Sequence, residues 1–302
     1  MLPLGKLIQK HGLTYHCYAD DTQLYLSFKP GVTDPTLTIN ACLRELQQWM
    51  NDNWLKLNAD KTEVLLIGGQ SMITKQLNLQ SSPLGIGGTD LRSSDHVRSL
   101  GVLIDWDLNF RTQISAVVKS SYFHLKNIAK IKHLIPPEDL PTLVHAFITS
   151  RLDYCNALYT GLPKKVLYRL QLIQNTAARL LTNQPRHCHI MPVLHSLHWL
   201  PIEWRVLFKI GLLTFKSLNN LGPGYMKDML QLRSNPRILR STGSNNLVIP
   251  RVHLETFGPR AFCHAAPTFW NSLPQQIRTA PSLDVFKSRL KTHLFSLAFA
   301  EI

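Results

Sequence analysis

Residues 13–28 read Leu-Thr-Tyr-His-Cys-Tyr-Ala-Asp-Asp-Thr-Gln-Leu-Tyr-Leu-Ser-Phe. Apolar and polar side chains alternate in two short runs, one on each side of Ala19-Asp20-Asp21, and both runs are rich in residues that favour strands. This pattern predicts a β-hairpin with its turn at the acidic pair. The Pro30-Gly31 pair that follows is expected to end the hairpin.

The residues after this hairpin are predicted to form both a helix and strands. Apolar residues recur at helical spacing from about residue 35 to 54, which predicts a helix. Leu57 to Ile67 predicts a strand that ends in Val-Leu-Leu-Ile, and Val97 to Ile104 predicts another apolar strand. Between them, residues 70–95 contain short strand-like pieces, and Gly85-x-Gly87-Gly88 is expected to be a hairpin loop rather than a phosphate-binding loop.

Beyond residue 110 the pattern becomes helical. One helix is predicted up to Pro136-Pro137, a second from Pro137 to about Leu152, a third after Pro163 and a fourth from about Pro201 to Leu218. The residues expected on the core sides of the second and third helices are Leu140, Leu143, Val144, Phe147, Leu152, Val166, Leu170, Ile173, Ala177 and Leu180.

The end of the chain predicts a linker, a strand and a helix. Residues 233–246 are polar and are expected to form the linker. Leu247 to Val252 then predicts a short strand, and Leu283 to about Phe295 predicts a terminal helix.

The adjacent carboxylates of Asp20 and Asp21 admit two interpretations. On a rigid turn they repel each other unless a cation joins them, and ligands made only of oxygen favour Mg²⁺ or Mn²⁺, which suits phosphoryl transfer. Asp is also a common turn residue, and on the dipeptide alone a plain turn is the favoured interpretation.

Charge is distributed unevenly along the 302 residues. Lys and Arg number 33 against 19 Asp and Glu, a formal net charge of +14. Residues 1–100 are balanced at 9 of each sign, whereas the residues after 160 hold 18 basic and 5 acidic side chains. A neutral first part and a basic second part favour binding to a polyanion such as nucleic acid, although many soluble proteins are simply basic.

Two sets of basic residues at helical spacing are candidates for phosphate contacts, and each set could equally be an ordinary solvated face. They are Lys119, Lys126 and Lys130 on one predicted helix, and Arg205, Lys209 and Lys216 on another.

Several classes of protein are excluded by composition. No apolar run approaches the roughly 20 residues of a membrane span, and the first residues do not resemble a secretory signal. The five Cys are scattered without a Cys-x-x-Cys pair, so we expect an intracellular protein, nuclear or cytoplasmic, without a membrane partner, disulfide framework or four-Cys zinc site. One short segment is rich in side chains that can bind zinc: His187, Cys188, His189, His195 and His198. Their spacing matches no common zinc pattern, and we expect no zinc there.

Three motifs in order resemble the reverse transcriptases of non-LTR (LINE-type) retrotransposons. Tyr18-Ala19-Asp20-Asp21 resembles their acidic core motif, and residues 49–67, with Leu-Asn-Ala-Asp-Lys-Thr, resemble the motif that follows it. Residues 97–110, with Leu-Gly-Val, resemble the primer-grip hairpin, and the later helices and tail resemble the thumb and C-terminal region.

The resemblance implies roles for individual residues. Asp20 and Asp21 would be catalytic carboxylates that bind Mg²⁺ or Mn²⁺, with Asp20 the stronger ligand and Asp21 the weaker. Lys61 would protonate the leaving pyrophosphate, and Gly101 would lie at the primer grip, where backbone approaches a nucleic-acid strand. The implied partners are RNA and DNA, as template and primer.

The implied fold is α+β: a truncated polymerase palm with an antiparallel sheet over 1–105, a helical thumb over 106–185 and a mostly helical basic C-terminal module over 186–302. Such a palm uses a third carboxylate from a strand before the acidic hairpin, and none of the first 19 residues is Asp or Glu.

The leading hypothesis is therefore a retrotransposon polymerase fragment that retains nucleic-acid binding without a complete two-metal site. The missing polymerase half could be supplied in trans. Two alternatives stay open: an active reverse transcriptase whose N-terminal half is missing from the gene model, and a non-catalytic protein-interaction module.

Overall fold

Two groups of elements, each with its own internal contacts, divide the chain into unit 1, Met1–Thr112, and unit 2, Gln113–Ile302. In the computed structural model the described residues are 2–29, 34–69, 73, 84–86, 88–233, 245–252 and 255–300. They form a mixed α+β structure of helices and small antiparallel sheets. None of the helices in these ranges is long and apolar enough to cross a bilayer.

The described residues of unit 1 include the helices α1 (Leu2–Lys10) and α2 (Pro35–Asp52) and three antiparallel hairpins. The strands, paired in sequence order, are β1 (Thr14–Tyr18) with β2 (Asp21–Tyr25), β3 (Leu84–Ile86) with β4 (Thr89–Leu91), and β5 (His96–Ser99) with β6 (Val102–Asp105). Among the described residues each sheet has two strands, so the hairpins do not join into a larger sheet.

The core of unit 1 lies between α1, α2 and the first hairpins. Asp34 begins α2, because its side chain accepts a hydrogen bond from the Thr36 backbone N–H at 2.9 Å. At the exposed side, Lys10 Nζ lies 2.9 Å from Glu45 Oε1, and this hydrogen bond lowers the pKa of Glu45. The buried residues of this core are Leu4, Ile8, Leu13, Cys42, Leu43, Leu46 and Ile86.

Unit 2 is helical. Its long helices are α3 (Arg111–Ile131, which starts two residues before the boundary), α6 (Lys164–Thr182), α8 (Ile202–Leu218) and α12 (Leu283–Ala298). The shorter helices are α4 (Leu140–Val144), α5 (Ser150–Asp153), α7 (Ile190–Ser196), α9 (Gly224–Asp228), α10 (Phe262–Ser272) and α11 (Gln275–Arg278).

The core of unit 2 forms where α8 crosses α10 and α12. Phe286 of α12 stacks on Phe215 of α8, with ring centroids 4.3 Å apart, and also faces Trp270 of α10 at 5.9 Å. A Cβ added at Gly211 would lie 2.9 Å from both Leu290 and Phe269, so the glycine permits this close crossing.

Two glutamine side chains of α6 bind backbone groups at the start of α8. The backbone N–H of Ile202 donates to Gln171 Oε1 of α6 at 2.8 Å, and Gln174 of α6 donates to the Leu200 carbonyl at 2.8 Å. These side chains satisfy backbone groups that have no partner within α8.

Several predicted elements are confirmed. The acidic hairpin, the helix from about residue 35, the helices after 110, 163 and 201, and the terminal helix are all present. The Gly85–Gly88 hairpin is confirmed by the pairing of β3 with β4, with Gly87 outside the described residues. Pro30-Gly31, residues 70–72 and 74–83, and most of the linker (234–244) also lie outside them.

The predicted strand from Leu57 to Ile67 is wrong. Ala59–Lys61 form a 3₁₀ turn, and among the described residues this segment pairs through one bridge, between Val64 and Ser93. The Asn58 side chain accepts a hydrogen bond from the Lys61 backbone N–H at 3.2 Å, which favours a capped turn over an extended chain.

The predicted strand from Val97 to Ile104 is instead the β5–β6 hairpin, because Leu100-Gly101 forms a turn with φ of 45° and 81°. Two successive positive φ angles are typical of the type I′ turn that joins hairpin strands. The predicted strand from Leu247 to Val252 is also wrong: within the part of the chain that the structure describes, this segment forms one isolated bridge, between Leu247 and Leu232.

The core face of the second helix is shifted from its prediction. Phe147 is 39% exposed and Ile148 is buried, because a π-helical turn, His145–Thr149, separates α4 from α5. A π turn is wider than an α turn, so residues four apart stay on one face. Leu140 and Leu152 are buried as predicted, with Val144 between them.

Candidate nucleic-acid interface

The acidic motif lies at the tip of the first hairpin. Tyr18 pairs with Asp21, and Ala19 and Asp20 form the two-residue turn, with Ala19 at φ 54°. Both Asp20 and Asp21 are exposed, and among the described residues neither forms an ion pair. The hairpin therefore presents two adjacent carboxylates to solvent.

Gly101 lies in a hairpin that contacts the acidic one. The Gln23 side chain of β2 donates a hydrogen bond to the Ser99 hydroxyl of β5, one residue before the Leu100-Gly101 turn. The positive φ of Gly101 gives it a conformational reason to be glycine that needs no nucleic acid. The two motifs are thus neighbours within unit 1.

Lys61 ends the 3₁₀ turn and is exposed. Among the described residues it forms no ion pair with Asp20 or Asp21. Over the same ranges no three His, Cys, Asp or Glu side chains come together as a metal-binding group. Two metal ions require more ligands than two adjacent carboxylates, so Asp20 and Asp21 supply only part of such a centre.

The first predicted lysine set is on α3. Lys119, Lys126 and Lys130 are all exposed, while Ile114, Val117, Leu125 and Ile128 of the same helix are buried. The helix contains no Asp or Glu, and none of the three lysines forms an ion pair with a described residue. Their positive charge is thus not neutralised locally.

Two aromatic residues lie on the same face and were missed by the sequence analysis. Tyr122 is 41% exposed and Phe123 is 62% exposed. With the lysines they occupy positions i, i+3, i+4, i+7 and i+11, a face about 100° wide. We call Lys119, Tyr122, Phe123, Lys126 and Lys130 the α3 stripe; the same helical periodicity that grouped the lysines also groups the rings.

The second predicted basic set has a different environment. Arg205 forms a paired contact with Asp153 of α5, in which Nε lies 2.8 Å from Oδ1 and Nη2 also donates to Oδ2. Lys209 and Lys216 are half-buried. This ion pair explains Arg205 without a nucleic acid, whereas the phosphate role of the two lysines stays a prediction.

Arg205→Gln is expected to destabilise the protein without weakening nucleic-acid binding. The Arg205–Asp153 ion pair is bidentate and partly exposed, and its loss should lower the free energy of unfolding by about 1–2 kcal/mol. Urea unfolding measures this loss, and Asp153→Asn should give a similar one. A large fall in affinity for an oligonucleotide at unchanged stability would instead place Arg205 in contact with phosphate.

The histidine-rich segment packs against α12. His195 contacts the rings of Phe295 and Phe299 at 5.0 and 5.3 Å, and His198 contacts Phe295 at 5.6 Å. Cys188 and His189 line a separate cavity of about 410 Å³ beside the end of α6. The ring contacts account for the two later histidines as packing residues.

Comparisons with known proteins identify no relative. A scan against protein-family models, a search of curated proteins and a search of solved structures each give no significant match.

Proposed function

We propose that this chain is part of a non-LTR retrotransposon reverse transcriptase and that its unit 2 binds the backbone of RNA or DNA. In this proposal unit 1 corresponds to the end of the polymerase palm, and α3 begins the thumb. The observation that carries the binding proposal is the exposed lysine face of α3.

The charges of the two units support the proposal. Residues 1–112 contain 10 Lys and Arg against 11 Asp and Glu, whereas residues 113–302 contain 23 against 8, a net charge of +15. The described part of unit 2 contains two ion pairs, Arg205–Asp153 and Lys287–Asp284, so few of its basic side chains are balanced by a neighbouring carboxylate. A surface of this kind attracts a polyanion and releases its counterions on binding.

The spacing of the lysines suits a phosphate backbone. Lys119 and Lys130 are 11 residues apart on one straight face of α3, or about 16 Å at 1.5 Å per residue. Such a row can follow successive phosphates of one strand, which gives affinity without sequence preference.

The acidic hairpin supports the polymerase part of the proposal less directly. Adjacent exposed carboxylates are ligands that Mg²⁺ or Mn²⁺ accepts together with substrate phosphates. A two-metal centre needs a further carboxylate beside Asp20 and Asp21, and we propose that nucleotidyl transfer depends on one from outside the described residues.

Chemical cross-linking of the full chain to a labelled RNA oligomer tests where nucleic acid binds. After formaldehyde treatment and peptide mapping, we expect cross-links at Lys119, Lys126 and Lys130. Lys6 and Lys56 are exposed lysines of unit 1 that form no ion pair with a described residue; they serve as internal controls and should react much less. Cross-links concentrated in unit 1 would contradict the proposal.

A further inference from the structure

The α3 stripe combines positive charge with exposed rings. Tyr122 and Phe123 lie between Lys119 and Lys126 along the helix and present 41% and 62% of their surface to solvent. Single exposed apolar residues are common, but two adjacent rings within a charged face form a small apolar patch, and such a patch is a candidate contact surface.

A third and a fourth ring extend this surface. Phe123 meets His124 edge-on with centroids 5.4 Å apart, and His124 stacks on Phe147 at 5.1 Å with an interplanar angle of 22°. Phe147 is itself 39% exposed because of the π turn. The rings of Phe123, His124 and Phe147 therefore form a continuous row that crosses from α3 to the π turn.

The surroundings of His124 favour the neutral form of its ring. Its burial, and then the charge of Arg151, lower the pKa of its imidazole. Arg151 itself is fixed by Nε donating to Ser120 Oγ at 3.1 Å and by Nη1 donating to the Phe147 carbonyl at 2.9 Å. The groups around His124 therefore favour a neutral ring that stacks.

The chemistry of the stripe selects its ligand. Lys119, Lys126 and Lys130 attract anions, and exposed aromatic rings stack with other planar aromatic groups. A nucleotide with an unpaired base supplies both a phosphate and a planar base. In a duplex the base faces are already covered by their neighbours, so only phosphates remain for the lysines. The combination thus distinguishes a single strand from a duplex.

We propose that the α3 stripe binds single-stranded nucleic acid, with bases stacked on Tyr122 and Phe123 and phosphates beside Lys119, Lys126 and Lys130. This inference rests on the proposed function and narrows it to one class of ligand. RNA and DNA single strands share the required chemistry.

The test measures binding of the full chain to oligonucleotides of about 12 nucleotides by fluorescence anisotropy, as a single strand of RNA, a single strand of DNA and a duplex. We expect both single strands to bind more tightly than the duplex. Tyr122→Ala with Phe123→Ala should weaken single-strand binding by about 25-fold or more, because each of the two stacked bases contributes at least about fivefold. Duplex binding should change by less than about twofold, since its phosphate contacts remain.

Matched variants separate stacking from other effects. Tyr168→Ala with Leu172→Ala removes two apolar side chains of α6 that are 58% and 38% exposed, a total close to that of Tyr122 and Phe123, and should change neither affinity. Tyr122→Trp with Phe123→Trp keeps flat rings and should retain the preference for single strands.

The outcomes also separate this inference from the proposed function. Binding that depends on salt and on the three lysines but ignores Tyr122→Ala/Phe123→Ala would overturn the stacking inference alone. The absence of binding to every oligonucleotide would overturn the proposed function as well. A double variant that alters only the sedimentation of the protein would show that the stripe contacts another protein chain, and would also overturn the inference.

Discussion

Replacement of Lys119, Lys126 and Lys130 together by glutamine is expected to lower the affinity of the protein for an oligonucleotide by about 100-fold at ~0.1 M salt, because each lost phosphate contact removes a factor of about 5–8. The three side chains are exposed and project from a helix without acidic residues, so their removal leaves no buried group without a partner. We therefore expect unchanged stability. Anisotropy titration and thermal unfolding of the same preparations measure both quantities.

A matched variant controls for net charge. Lys164, Lys165 and Lys291 are also exposed in unit 2 but lie on α6 and α12, and their replacement by glutamine changes the total charge equally. This control should retain most of the affinity. If both triple variants lost affinity to the same extent, diffuse positive charge rather than the α3 face would be responsible.

Phe286→Ala is expected to lower the free energy of unfolding of unit 2 by about 3–5 kcal/mol, the usual cost of an aromatic-to-alanine change in a core. Phe286 is completely buried and stacks between Phe215 and Trp270. Its loss leaves a cavity where α12 meets α8 and α10. Urea unfolding followed by tryptophan fluorescence measures the effect, since Trp270 belongs to the same core.

Phe123→Ala makes the same chemical change at a position that is 62% exposed and should cost less than about 0.5 kcal/mol. Similar losses for the two variants would contradict the assignment of the core to the crossing of α8, α10 and α12.

Local patterns were sufficient to predict the long helices and the acidic hairpin. The apolar spacing of α6 identified most of its buried face, because a helix on the surface of a core shows its period directly in the sequence. Leu170, Ile173 and Ala177 are buried as predicted, whereas Val166 and Leu180 are half-buried. The acidic hairpin could be predicted because its paired residues are close in sequence: its two strands are separated only by the Ala19-Asp20 turn.

The errors arose where the local backbone departs from a regular strand or a regular α-helix. Residues 57–67 have the composition of a strand, but Asn58 accepts a backbone hydrogen bond and a 3₁₀ turn forms instead. Phe147 was placed in the core because an α-helical period was assumed, whereas the π turn brings Ile148 inward. Neither effect is visible in apolar spacing.

The candidate site was partly predictable for the same reason. The lysines of α3 lie on one helix, so their common face follows from their spacing. The partner of Arg205 is Asp153, 52 positions earlier, and such a pair depends on how helices pack. The row of Phe123, His124 and Phe147 likewise joins two separate helical segments.

The salt dependence of nucleic-acid binding by the unmodified full chain tests the proposed function most directly. Between ~50 and ~200 mM salt, at least three phosphate contacts to a single strand should reduce the affinity about 20-fold or more, with a slope of log affinity against log salt of about −2 or steeper. A slope near zero, or no measurable binding at the lowest salt, would contradict nucleic-acid binding by unit 2.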